Sequence, residues 1–154
     1  MNKPFSSLLF ALLSLLVFSG CSLPRVIILK DPLTPEEHVN LGVSYEKQGD
    51  FDNAIREYNL AAKEHPRAYF YLGNAYFQKK EWKRAEDCYR KAIRKEPDNA
   101  DAFNNLAWLY YTRNENLDEA ERLARKAIEL NPAKEGIYKD TLDRIKEIKK
   151  SPGE

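Results

Sequence analysis

Two thiols and two imidazoles are the side chains of this sequence best suited to attack, ligate or shuttle protons: Cys21, Cys88, His38 and His65. Catalysis would need one of them set against a base and an orienting group. Neither histidine has a cysteine, serine or carboxylate constellation beside it at helical or turn spacing, so no nucleophile–base set can be assembled. Two cysteines and two histidines are too few for a zinc site or a disulfide framework. The expectation is therefore no metal, no cofactor and no enzyme. Formal net charge is +1, and dropping residues 1–20, whose one charge is Lys3, leaves 24 basic against 24 acidic residues. A neutral chain offers no electrostatic case for nucleic acid. With 43% hydrophobic and 32% charged residues, the composition is that of one soluble-type domain after the leader. Of the four reactive groups, Cys21 alone stands in a context that suggests its chemistry.

That context is positional. Met1–Pro4 carries one positive charge, and Phe5–Phe18 is apolar except for three serines. Fourteen such residues are short for a membrane span but suit the core of a secretory signal. The ending Phe18-Ser19-Gly20-Cys21 resembles a bacterial lipobox, with Phe18 where leucine is usual. The resemblance implies that residues 1–20 are a lipoprotein signal peptide. It further implies that the Cys21 thiol takes a diacylglyceryl group, with cleavage before it and acylation of the new amine. Several acyl chains, at roughly 0.8 kcal/mol per buried CH₂, make such an anchor effectively permanent. Ser22, not aspartate, follows; by the lipoprotein sorting rule this implies the outer membrane, inner leaflet, facing the periplasm. The residues alone also admit an ordinary cleaved signal or an uncleaved anchor. A linker over 21–34 follows, with prolines that argue against a helix. Extended, its last 13 residues reach roughly 45 Å at most. Its apolar run Val26–Leu29 could strap onto the first repeat, bind a partner or plug the domain's own groove.

The elements that must follow are helical. Tyr69, Leu72, Gly73 and Tyr76 are spaced i, i+3, i+4, i+7, one stripe of an α-helix. Ala85, Tyr89 and Ala92 share helical spacing, and Pro97 stops that helix. The unit recurs as Leu41, Gly42, Tyr45, Ala54, Tyr58, Ala61 and Pro66, and again as Phe103, Leu106, Ala107, Tyr110, Ala120, Ala124, Ala127 and Pro132. This resembles the tetratricopeptide repeat (TPR), aromatic-x-x-Leu-Gly-x-x-Tyr, then Ala-x-x-x-aromatic, then Pro. The resemblance implies an all-α, right-handed TPR helical solenoid over 35–150. Its repeats fall at about 35–66, 66–98 and 99–132, with a cap helix over about 134–150. Thr34-Pro35-Glu36-Glu37 reads as a capping box opening the first helix. Leu41 to Leu72 is 31 residues but Leu72 to Leu106 is 34, so three residues are missing at the first junction, and Pro66 is expected to start the next helix. Tyr110 to Ala120 is one residue longer than Tyr76 to Ala85, and Asn114 and Asn116 should absorb it in left-handed backbone.

The first helices carry a second stripe at i, i+4, i+7: Val39, Val43 and Glu46; Phe70, Asn74 and Phe77; Asn104, Trp108 and Tyr111. In the TPR family these positions line the groove that binds peptides. The resemblance thus implies a partner-binding groove of Val39, Val43, Phe70, Asn74, Phe77, Asn104, Trp108 and Tyr111. Packing between adjacent helices is the other reading of the same stripe. Chaperone-tail TPR domains clamp a carboxylate at positions that here read Val39, Val43, Tyr71, Asp101 and Asn105, so recognition of acidic tails is not expected. The function implied is a lipid-anchored periplasmic TPR adaptor, binding a protein or extended peptide in assembly of an envelope complex. The pattern resembles TPR lipoproteins of pilus and secretin biogenesis. A self-association module, or a non-catalytic subunit of an envelope enzyme, is the alternative.

Overall fold

The computed structural model describes residues 31–150, and Cys21 and the run Val26–Leu29 lie outside them. Seven α-helices fill this stretch: α1 Pro35–Lys47, α2 Phe51–Ala61, α3 Ala68–Gln78, α4 Trp82–Lys95, α5 Ala100–Arg113, α6 Leu117–Leu130 and α7 Glu135–Lys150. No strand occurs among the described residues. The starts are dictated locally. Thr34 Oγ1 accepts the Glu37 N–H at 3.2 Å while Glu37 Oε2 accepts the Thr34 N–H at 2.7 Å, and Pro35 at the first position loses nothing by lacking an N–H. Asp50 and Asn99 cap α2 and α5 in the same manner, accepting from Asn53 and Ala102.

Helices pack in sequence as hairpins, α1 on α2, α3 on α4 and α5 on α6, with α7 laid against α6 and α5. One core cluster joins the first three helices through Val39, Tyr58, Ala61, Ala68 and Leu72. A second runs from Ala85 and Tyr89 through Leu106, Tyr110 and Ala124 to Leu142 and Ile145 of α7. The glycines of the repeat have a specific steric role. A Cβ on Gly42 would stand 2.4 Å from the Tyr58 ring, and one on Gly73 would stand 2.4 Å from the Tyr89 ring. Each tyrosine therefore lies flat against the bare backbone of its partner helix. In the third repeat both members change together: Ala107 replaces glycine, and Ala124 replaces the tyrosine that would collide with it.

The irregular spacings have physical outcomes. The short junction leaves α2 and α3 at 11 residues each, where α4, α5 and α6 have 14. Pro66 does not begin α3, as its sequence position suggested. It lies in the preceding turn, and α3 starts at Ala68 after N–H bonds from Tyr69 to Pro66 and from Phe70 to Arg67, each three residues back. The long turn between α5 and α6 is taken up by Asn114 (φ 51°) and Asn116 (φ 50°), both left-handed, where a short amide side chain is tolerated. Helix α7 buries Tyr138, Thr141, Leu142 and Ile145 and turns its charged face outward, which closes the open end of the stack. No helix among the described residues is long and apolar enough to cross a membrane.

Candidate functional site

Successive first helices leave a groove between their exposed sides. It holds two cavities, of about 320 Å³ and about 580 Å³. The smaller is lined by Asn74, Phe77 and Gln78 of α3, Asn105 and Trp108 of α5, Tyr89 of α4 and Glu46 of α1. The larger is lined by Val43, Glu46 and Lys47 of α1, Phe51 of α2, and Tyr71, Asn74 and Gln78 of α3. Glu46, Asn74 and Gln78 belong to both walls.

The polar groups of this groove are held from behind. The Tyr58 hydroxyl donates to Glu46 Oε2 at 2.7 Å, and Tyr89 donates to Asn74 Oδ1 at 2.9 Å. Burial pushes the Tyr58 hydroxyl far above its ordinary pKa, and the bond to Glu46 adds to this. Burial does the same to Tyr89. Both remain protonated donors at any physiological pH. Asn105 Nδ2 also donates to Asn74 Oδ1, at 2.9 Å. With its oxygen doubly occupied, Asn74 keeps its two amide N–H groups for a guest. Aromatic rings form the apolar walls. Phe77 meets Trp82 edge to face at 5.3 Å, Tyr71 stacks on Tyr58 at 5.4 Å, and Trp108 lies 4.9 Å from Tyr111. At the far end the Arg144 guanidinium of α7 sits 5.9 Å over the Trp108 ring, ion-paired with Asp140 at 2.8 Å.

The structure divides the eight expected groove residues. Val43, Asn74, Phe77 and Trp108 line the cavities. Val39 does not: it is buried in the core formed with α2 and α3. Phe70 and Tyr111 pack against the second core. Asn104 is buried, and its Oδ1 has no partner. It shares one face of α5 with Asp101 and Trp108, and that face meets α7, since Asp101 accepts from Lys134 (2.8 Å) and Tyr138 (2.8 Å). Burial pushes the Asp101 carboxyl up, but these two bonds outweigh it and hold the pKa below the usual aspartate range. The first member of each stripe, Val39, Phe70 and Asn104, is thus packing surface and the second, Val43, Asn74 and Trp108, is groove, while the third is groove at Glu46 and Phe77 and packing at Tyr111. Glu46, a member of the stripe left out of that expected groove, lines both cavities, and Gln78, Tyr89 and Asn105 complete the smaller one from outside the stripe; Gln78 stands one turn beyond Asn74, a signal present in the spacing.

His38 and Cys88 are structural. His38, standing in the aromatic's place of the repeat, bonds Glu57 at 2.8 Å, a carboxylate 19 residues away that local spacing could not bring near. Both are 5% exposed. The Cys88 thiol is pushed up to about 11 by burial, which makes it a poor nucleophile. Among the described residues no three His, Cys, Asp or Glu side chains are grouped to hold a metal ion.

Comparison with known proteins agrees with this geometry. A TPR-repeat family model matches residues 73–114, and tetratricopeptide-repeat models match 39–91 and 99–131. The described helices form a tetratricopeptide-repeat solenoid. The TPR region is 34% identical over 82 residues to tetratricopeptide repeat protein 6 of Homo sapiens, covering 51% of this chain and 16% of that protein. It is 32% identical over 117 residues to the protein O-mannosyl-transferase TMTC2 of Homo sapiens, covering 69% and 14% respectively. The chain thus spans about a sixth or less of the curated relatives it matches. Among solved TPR structures, the first TPR of Spaghetti (RPAP3) bound to the HSP90 peptide SRMEEVD superposes with a TM-score of 0.69 at 22% identity, covering 79% of this chain and 97% of that one. The TPR2B domain of yeast Sti1, in complex with an Hsp70 peptide, gives 0.69 at 19% identity, covering 73% and 96%.

Proposed function

We propose that this TPR solenoid is a binding module, not an enzyme, which docks a protein partner through an extended peptide laid along the α1–α3–α5 groove. The observation that carries the reading is the pair of adjoining cavities whose shared polar groups, Glu46 and Asn74, are held by tyrosines of the second helices. An extended segment has free backbone N–H and C=O groups, and amides such as Asn74 and Gln78 between aromatic walls can satisfy them. Two structural neighbours of the same fold were solved with HSP90 and Hsp70 peptides.

The finer reading is an adaptor of the bacterial envelope, anchored by lipid on Cys21 to the outer membrane and facing the periplasm, that serves assembly of a pilus, secretin or similar complex. Support for the anchor is the apolar run Phe5–Phe18 closing on Ser19-Gly20-Cys21.

A photo-cross-linking amino acid at Gln78, which is exposed on the groove wall, should capture a distinct envelope protein in cells, while the same group at Lys83 on α4 should not. Equal capture at both positions would sink the groove reading. A cross-link of the chain to itself at Gln78 would instead make the groove a self-association face.

A further inference from the structure

Most half-buried carboxylates of this molecule sit beside cations of their own fold. Glu86 has Arg90 at 3.0 Å, Glu121 has Lys149 at 2.6 Å, and Glu81 has Arg84 at 2.8 Å. Among the described residues Asp50, Glu96 and Glu46 have none; Asp50 and Glu96 are taken up by bonds to Asn53 and Asn99, and of the three Glu46 alone lines the groove. It is half-buried in the groove, takes one hydrogen bond from the Tyr58 hydroxyl, and has no lysine or arginine at ion-pair distance among the described residues. Beside it in the smaller cavity stand the Asn74 and Gln78 amides and the Phe77 and Trp108 rings.

We propose that this cavity takes the side chain of a lysine or arginine from the docked peptide. The inference rests on the reading that the groove binds an extended peptide, and adds what that peptide must carry. A carboxylate walled by aromatic rings attracts a cation twice, by its charge and by the rings' negative faces. Partial desolvation strengthens the pairing relative to an exposed surface pair. An apolar side chain there would strip water from Glu46 without replacing it, and an acidic one would add repulsion. The neighbouring charges set the register. Lys47 lines only the larger cavity, beside Val43, Phe51 and Tyr71, so the basic residue belongs between α3 and α5 and an apolar neighbour belongs over Val43. Arg144 at the far end is committed to Asp140. The preference runs opposite to the acidic sequence SRMEEVD in the HSP90-peptide complex of similar fold.

The test is a random nonapeptide display library panned on the detergent-solubilised full chain, and on Glu46→Gln, whose amide oxygen can still accept from Tyr58. Wild type should enrich peptides with one fixed lysine or arginine. Resynthesised with glutamine at that place, the peptides should bind about tenfold more weakly, and the difference should shrink as salt is raised. Glu46→Gln, with unchanged helicity, should lose the preference while still binding. Enrichment of peptides without a basic position, or an equal preference in Glu46→Gln, overturns the inference and leaves the peptide groove standing. No enrichment at all overturns both.

Discussion

Gly73 and Tyr89 form a unit in which neither residue type is free to change alone. The tyrosine ring occupies the space a Cβ would need, 2.4 Å away, and its hydroxyl is tied to Asn74. Gly73→Ala should therefore cost about 1–3 kcal/mol by overpacking, read as a lower urea midpoint at unchanged slope. In the third repeat, where Ala107 and Ala124 share the core without a ring, the reverse change Ala107→Gly loses helix propensity and one buried methyl, together about 2 kcal/mol. A neutral Gly73→Ala would show that the ring has room to move. The same pairing explains what could be read in advance at this scale. Leu, Gly and Tyr at fixed helical spacing declared the repeats. Ala107 was legible as a small residue kept at the glycine's place, but its link to Ala124, where the ring is absent, needed the packing.

Helix α7 is the element whose hold on the stack can be titrated. Lys149 bridges Asp118 at 2.7 Å and Glu121 at 2.6 Å, and Arg125 also bonds Glu121. These bonds, Lys149 first and Arg125 second, lower the Glu121 pKa from 4.5 to about 2. A carboxyl depressed by folding contributes stability that is complete above its unfolded value and lost as pH falls through its folded one. Docking of α7 should accordingly weaken between pH 4.5 and about 2. Asp101, held low by Lys134 and Tyr138 against the effect of burial, contributes in the same direction. Amide exchange in α7 followed against pH should show early loss of protection, and Glu121→Gln should remove part of that dependence. If the variant's profile matches wild type across this window, the Lys149 bridge is not what fastens the helix. At this scale the amphipathic pattern of Ile137, Leu142, Ile145 and Ile148 announced a capping helix, although Ile137 is left exposed. The bond from Tyr138 to Asp101 was not legible, because 37 residues separate the two.

For the whole molecule, the solenoid could be read from three copies of one pattern, while the groove could be read only in part. Val43, Asn74, Phe77 and Trp108 line cavities because their helices have open space beside them. Val39, Phe70 and Asn104 stand one turn earlier on the same helices and are closed over by packing. A stripe read from spacing does not show at which turn of each helix its neighbours part. The proposed lipid attachment is read from residues 1–21 alone, and its prediction belongs there. Cys21→Ala should abolish palmitate labelling and either release the protein from membranes or leave an unprocessed precursor. Unchanged labelling in that variant would defeat the lipid anchor.

Glu46 and Asn74 have a further property that follows from the tyrosines behind them. A side chain pinned in the empty protein has already surrendered its rotamer freedom, roughly 0.5–1.5 kcal/mol apiece, before any guest arrives. That saving belongs to Tyr58 and Tyr89 of the second helices. Their conversion to phenylalanine should keep the rings in place and show itself as faster escape of a bound peptide, so that residence time in a groove built on the first helices is governed from the second.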